Sequence, residues 1–278
     1  MKVELSPLDV QCATWIFMIV ALGAALAGCE LLYIWKEYGD QGLFSWPVVR
    51  SSYRFALASK MQTVLDTFLG YPQYLFFIGI QVVFALALLV NIFPRYRSYL
   101  LLVILLIHLL STLRNPQGSD GTDQMQTILL ATLVCYYATP DPIVKKAAVW
   151  FIALQAILAY FTSGIAKLLS KTWREGTVLK NSLLLAPGNK RLYQWLPKNA
   201  RFNQFLCLSV VVFECAFPLA LIGPKTCLAF LAGGVLLHLF NAAALSLPRF
   251  LFTFVAAYPA ILASVGDIHS GWTINHFF

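Results

Sequence analysis

Charge is scarce in this sequence. Only 12 acidic and 20 basic residues occur among 278, so charged side chains make up 12% of the chain, against roughly 25% in soluble domains. That is too few to cover a water-exposed surface of this size, which excludes a soluble enzyme or a soluble binding module. Cysteine is sparse and scattered. Cys12, Cys29, Cys135, Cys207, Cys215 and Cys227 fall inside or against apolar runs. None has CxxC or zinc-like spacing, so they read as small buried hydrophobes rather than a disulfide framework or a thiolate site. The histidines are dispersed too: His108 and His238 lie on different apolar runs, and His269 and His276 lie near the C-terminus. Three would have to converge for a convincing zinc site, so no metal is expected. No internal repeat is present, which argues against an inverted-repeat transporter.

What the chain has is apolar length. Hydrophobic residues reach 59% and mean hydropathy is +0.73. A helix of about 20 residues satisfies its own backbone amides across a bilayer. By that ruler the sequence offers about eight spans, near Cys12–Trp35, Gln73–Ile92, Tyr96–Leu113, Gln124–Ala138, Ile143–Leu169, Phe205–Ile222, Thr226–Leu245 and Arg249–Val265. The run from Thr14 to Tyr33 lacks a basic leader and a small-residue exit, so it reads as a first span rather than a cleaved signal peptide. Turn residues separate several spans: Asn91-Ile92-Phe93-Pro94, Thr139-Pro140-Asp141-Pro142, Gly223-Pro224 and Ser246-Leu247-Pro248. The expected fold is all-α, one polytopic helical bundle over residues 1–278 with no soluble domain, in a bacterial cytoplasmic membrane.

Two longer polar intervals interrupt this pattern. Lys36–Tyr71 mixes Phe44, Trp46, Val48, Val49, Tyr53 and Phe55 with Arg50, Arg54 and Lys60, as an interfacial or re-entrant helix does. Ser170–Gln204 carries Lys171, Arg174, Lys180, Lys190, Arg191, Lys198 and Arg201 with Trp173, Tyr193 and Trp195, a mixture suited to the headgroup level. The formal charge of +8 therefore points to membrane lipids as partners, not to nucleic acid. Both intervals fall on the side richer in Lys and Arg, which the positive-inside rule assigns to the cytoplasm, leaving both termini outside.

Ionisable residues within apolar runs carry the functional signal, because each is costly there without a partner or water. Glu30, His108, Lys167, Glu214 and His238 are in this position. Lys167 is the sharpest. At helical spacing Tyr160, Gly164, Lys167 and Lys171 share a face, and Gly164 lets a backbone or ligand approach it. Lys167 either snorkels to the interface or, held out of water, serves as a general base. A second candidate is the loop Arg114-Asn115-Pro116-Gln117-Gly118-Ser119-Asp120-Gly121-Thr122-Asp123. It reads either as a tight turn with Thr122 or Asp123 capping the next helix, or as a polar pocket flanked by Arg114 and Asp123. The third is His238 with Asn241, three residues on and on the same face, facing Glu214 in the preceding span. A His238–Glu214 hydrogen bond is expected, either structural or proton-handling.

These segments, in this order, resemble the HTTM domain, the membrane-embedded domain family that includes the vitamin K-dependent gamma-carboxylases. Tyr38-Gly39-Asp40-Gln41-Gly42-Leu43 is similar to its acidic-Gly-aliphatic turn. Arg114-Asn115-Pro116 with Gly121-Thr122-Asp123-Gln124 is similar to R-N-P … G-G-D-Q, with Thr122 in place of the second glycine. Tyr160-Phe161 … Gly164-Ile165-Ala166-Lys167-Leu168 … Trp173-Arg174-Glu175-Gly176 resembles Y-F-x-x-G-h-x-K-L … W-x-x-G. Glu214 … Phe217-Pro218 and His238-Leu239 … Leu247 … Phe250 extend the likeness over nearly the whole chain.

The resemblance implies that Lys167 is a base that deprotonates a reduced quinone of the vitamin K hydroquinone type. It also implies that Tyr160, Gly164, Arg114, Asn115, Asp123, Trp173, His238, Asn241 and Glu214 line the cofactor or substrate site. Ala166 stands where the carboxylases have a second lysine, and a large extramembrane substrate-binding domain is expected to be missing. The implied activity is carboxylase- or oxygenase-type chemistry on a peptide or lipophilic substrate. The alternative is a non-enzymatic membrane component, a partner subunit in peptide maturation, export or immunity.

Overall fold

The computed structural model describes residues 5–51, 59–115, 120–185 and 199–269. Expectations that rest on Arg54, Pro116, Lys190, Tyr193, Trp195 and His276 lie outside these residues. Among the described residues every regular element is a helix. In chain order they are α1 (Pro7–Tyr33), α2 (Trp46–Ser51), α3 (Ser59–Leu69), α4 (Gln73–Leu89), α5 (Arg97–Arg114) and α6 (Gly121–Ala138). Then follow α7 (Pro142–Leu169), α8 (Lys171–Arg174), α9 (Thr177–Leu185), α10 (Ala200–Ala216), α11 (Pro224–Leu245) and α12 (Pro248–Ile268).

Six of these helical stretches are long and apolar enough to cross a membrane: Pro7–Tyr33, Pro94–Arg114, Pro142–Leu169, Ala200–Ile222, Pro224–Leu245 and Pro248–Ile268. A seventh arises if α3 and α4 act together, although the chain bends by 59° between them. The fourth expected span is helical as α6, but its first turns (Gly121, Thr122, Asp123, Gln124) are polar, and it is not among the six. Apolar side chains such as Phe76, Val83, Leu106 and Leu236 remain more than half exposed, an outer surface compatible with an integral membrane protein.

The chain forms two compact units. In Phe17–Val144, glycine and a buried amide set the helix contacts. A Cβ on Gly28 would come within 2.5 Å of a Val82 methyl, so α1 and α4 cross at close range. One turn away, buried Gln81 donates to the Ala24 carbonyl at 2.9 Å. Tyr38, Trp46, Leu69, Tyr74, Ile78 and Ile107 form the core of this unit. The interfacial reading of the first polar interval meets α2 and α3 here, joined by Asp66. That carboxylate accepts from Trp46 Nε1 at 2.6 Å and from Arg50 at 2.6 Å.

The second unit comprises Met1–Ile16 and Lys145–Phe278. Its helices start where proline fits without losing a hydrogen bond, with Pro224 and Pro248 in the first turns of α11 and α12. Between them Ser246 takes a left-handed turn at φ 58°. At one end of this unit Lys146 Nζ lies 2.8 Å from Asp9 Oδ2 and 2.5 Å from Asp267 Oδ1. Trp150 Nε1 donates to the other Asp267 oxygen at 2.8 Å, and Ser6 donates to Asp9 at 2.9 Å through its amide and hydroxyl. Lys146 is thus a clamp joining α1, α7 and α12.

Removing the ammonium would leave Asp267 and the fully buried Asp9 without their shared cation. Lys146→Ala is expected to destabilise the fold by about 3–5 kcal/mol, the usual cost of breaking one side of a buried pair. Exposed Lys225→Ala is expected to leave stability unchanged. Thermal unfolding of the two variants in detergent, followed by circular dichroism, checks the contrast.

Candidate functional site

Gly164 fixes the geometry of the candidate site. A Cβ there would stand 2.6 Å from the Cys215 amide nitrogen, 2.8 Å from Cys215 Sγ and 2.9 Å from the Glu214 carbonyl carbon. The backbones of α7 and α10 thus meet at this position, as the sequence allowed, and what approaches is a helix. One turn along α7, Lys167 comes to lie opposite Glu214. Its Nζ sits 2.5 Å from Glu214 Oε2 and 2.5 Å from Ser163 Oγ. The Trp173 ring lies 5.1 Å from the same nitrogen, a cation–π distance. The Lys167 side chain keeps 20% of its surface exposed and Glu214 keeps 7%. An ion pair this far from water is held by its hydrogen bonds, and losing either partner is costly.

A second cluster occupies the same unit. The Tyr160 hydroxyl lies 2.5 Å from His238 Nε2 and 2.6 Å from the Tyr258 hydroxyl, joining α7, α11 and α12. Aromatic rings enclose it. Tyr160 stacks on Phe217 with centroids 3.8 Å apart and planes 11° apart, while His238 stacks on Phe254 at 4.9 Å. Gly234 makes the hydroxyl contacts reachable, because a Cβ there would collide with the Tyr258 hydroxyl and stand 3.2 Å from that of Tyr160. Lys167 is within electrostatic range of His238, and Glu214 of Tyr160. Rings enclose the Tyr160–His238 cluster, and Trp173 alone flanks Lys167 among the ring contacts of the described residues.

Several sequence expectations change. His238 and Glu214 do not bond to each other; His238 takes Tyr160 and Glu214 takes Lys167. Lys171 does not continue the Tyr160–Gly164–Lys167 face. α7 ends at Leu169 and the chain turns at Ser170, so Lys171 points outward and pairs with Glu175 at 3.7 Å. Asn241 is half-buried one turn after His238, and its carbonyl closes the end of α11 by accepting from Ser246 and Leu247. Tyr258 and Phe254 were not anticipated, and Phe217 entered only within the Glu214 … Phe217-Pro218 segment. The available signal was a lone tyrosine before Pro259 in an apolar run, which is weak, because aromatics in such runs are usually packing residues.

Arg114, Asn115 and Asp123 lie in the other unit. Arg114 is fully buried. Its Nη2 donates to the carbonyls of Tyr38 at 3.1 Å and Phe44 at 3.0 Å. The guanidinium faces the rings of Tyr74, Tyr38 and Trp46 at 4.8, 5.4 and 5.7 Å. This is a staple that fixes the 38–44 loop onto α5, with aromatic faces standing in for a counter-ion. Asn115 caps α5 through its amide bond to the Ser111 carbonyl at 3.2 Å. The cap of α6 is Asp120, not Thr122 or Asp123. Asp120 accepts from the Thr122 amide at 2.8 Å, and Asp123 completes the capping box. The Asp123 carbonyl also meets His108 Nε2 at 3.1 Å, joining α5 to α6.

No group of three or more metal-ligating side chains forms among the described residues. The chain matches no protein-family model, no curated protein and no solved structure.

Two outcomes follow from this geometry. Gly164→Ala should push α10 away from α7 and cost about 1–3 kcal/mol, the range for overpacking, read as a lowered melting temperature in detergent. In a double-mutant cycle, Glu214→Leu strands the Lys167 ammonium and should cost about 3–5 kcal/mol. Adding Lys167→Met should recover most of that loss, and full additivity of the two substitutions would mean the pair does not hold the helices together.

Proposed function

We propose that this chain is an integral membrane enzyme of a bacterial cytoplasmic membrane, similar to the HTTM domain, in which Lys167 acts as a general base on a lipophilic, quinone-like cofactor. In this reading all eight apolar runs span the bilayer, with α6 and the bent α3–α4 pair included. The observation that carries it is the Lys167–Glu214 contact beside Trp173 and the Tyr160 cluster.

An ammonium cannot accept a proton, so the base must first be freed of one. Glu214, at 2.5 Å, is placed to take it. Transfer from Nζ to Oε2 leaves an amine facing a carboxylic acid, which avoids keeping two charges out of water. Ser163 holds the nitrogen in place during the exchange. With such a ligand bound, Lys167 Nζ would be the group that takes its hydroxyl proton and would then face the oxygen as an ammonium. The buried Glu214 carboxylate and the Trp173 ring cover part of the nitrogen, which limits competing proton transfer from water.

The residues present fit a reduced quinone in donor chemistry. A partly exposed amine supplies the polar contact, and the Trp173 ring beside it supplies flat apolar surface. When bound, such a group contributes an acidic hydroxyl and, once deprotonated, reactivity toward oxygen. The substrate would be a peptide or a lipophilic molecule reaching the site from the bilayer.

A second reading has one observation in its favour: Lys167 and Glu214 satisfy each other within the chain. A mutually satisfied pair also serves as a helix lock in a non-enzymatic component of peptide maturation, export or immunity. Oxygen uptake by the purified chain with a reduced naphthoquinone separates the two. The enzyme reading expects uptake above the uncatalysed rate, a loss of about 10²-fold or more in Lys167→Ala, and no rescue by Lys167→Arg. Uptake unchanged in Lys167→Ala would remove the base. No uptake by the wild-type chain, together with a partner protein that copurifies under gentle extraction, would favour the lock.

A further inference from the structure

Gln155 lies at the middle of α7, which runs for 28 residues from Pro142 to Leu169. It is about 20 Å from either end at 1.5 Å per residue, so in a spanning helix its side chain reaches neither headgroups nor bulk water. The residue is half-buried. The side-chain hydrogen bonds of this stretch of α7 are those of Trp150, Tyr160 and Thr162, and among the described residues the Gln155 amide makes none. Two other polar side chains in apolar helices are satisfied. Exposed Thr162 donates to the Leu158 carbonyl of its own helix at 2.8 Å, and Gln81 of the other unit donates to the Ala24 carbonyl at 2.9 Å. An amide left without such a contact is costly in hydrocarbon, and acyl chains cannot supply one.

The surface beside it is apolar and regular. Phe151, Leu158 and Ile165 follow at seven-residue steps along one face and are 46%, 51% and 36% exposed. Gln155 and Thr162 stand four residues after the first two, at helical spacing on the same side. A seven-residue repeat keeps such a seam in register with a second helix. A primary amide carries both donors and an acceptor, so it is complementary to another copy of itself. Two chains inserted in the same direction hold Gln155 at the same depth, and a twofold axis along the membrane normal turns the two amides toward each other. Glutamine joins spanning helices in this way where water offers no driving force. We propose that the outer face of α7 docks a second copy of this chain, closed by reciprocal Gln155–Gln155 hydrogen bonds between the Phe151 and Leu158 contacts. The dimer does not depend on the reading of Lys167.

Full-length chains carrying a donor or an acceptor dye at the N-terminus, reconstituted in phosphatidylcholine vesicles, report association by energy transfer as lipid is added. The wild type is expected to associate reversibly. Gln155→Leu is expected to need about tenfold more protein per lipid for half-association, whereas Gln155→Asn, which keeps an amide, stays within about threefold of wild type. Gln155→Leu takes an unmatched polar group off the single chain, so it is expected to melt no lower than wild type in detergent. Phe151→Ala is expected to weaken association, and Phe205→Ala, on the exposed side of α10, to leave it unchanged. Wild-type association by Gln155→Leu, or equal effects of the two phenylalanine substitutions, would overturn the proposal. So would a wild-type chain that stays monomeric at every lipid ratio, including one that instead retains a different protein through Gln155.

Discussion

A lysine and a glutamate buried among apolar helices must find each other, and here they can do so only because position 164 has no side chain. The α7–α10 crossing brings backbone to within contact distance at Gly164, and Lys167 and Glu214 close on each other one turn away. Gly234 acts in the same way for α11, admitting the hydroxyls of Tyr258 and Tyr160. The polar chemistry of this unit is therefore positioned by two absences of bulk. Interhelical packing through small residues, reinforced by polar contacts, is the usual solution where water offers no driving force between helices.

The helices and their breaks were legible in the sequence because apolar length and turn residues are local signals. Pro142, Pro224 and Pro248, read as turn residues between spans, open the helices that follow, and Lys167 stands out by its apolar surroundings in the chain. Pairing was not legible. Glu214 and His238 are both ionisable groups in apolar runs, and joining them was reasonable. Which of four polar residues meets which depends on helix rotation and crossing, and no run of hydropathy encodes those. The break at Ser170 was hidden for a similar reason: Lys171 fits the face by count, but the helix stops two residues earlier at Leu169. The Lys146 clamp was not legible either, because a lysine near a span end resembles any other loop charge until Asp9 and Asp267 are brought beside it.

Arg114 shows a different way to bury a cation. Two backbone carbonyls and three aromatic faces surround it, so the 38–44 loop is defined by a contact that lies far off in sequence. Such an arginine keeps its charge under all conditions, which makes it a dependable fastener and a poor proton carrier. The contrast with Lys167 is chemical. One unit fastens a loop with a cation set among carbonyls and rings, and the other joins two helices through a cation set against a carboxylate.

The length of α7 has its own consequence. Lys146 and Lys167 are 21 residues apart on that helix, about 31 Å at 1.5 Å per residue, and a bilayer's hydrocarbon layer is about 30 Å thick. Upright, the helix would set one ammonium at each boundary of the oil. A thicker membrane would draw both lysines inward and strengthen their grip on the carboxylates, whereas a thinner one would force α7 to tilt and wet one end. In such a bilayer, lipid acyl-chain length would set how dry the Lys167–Glu214 pair is.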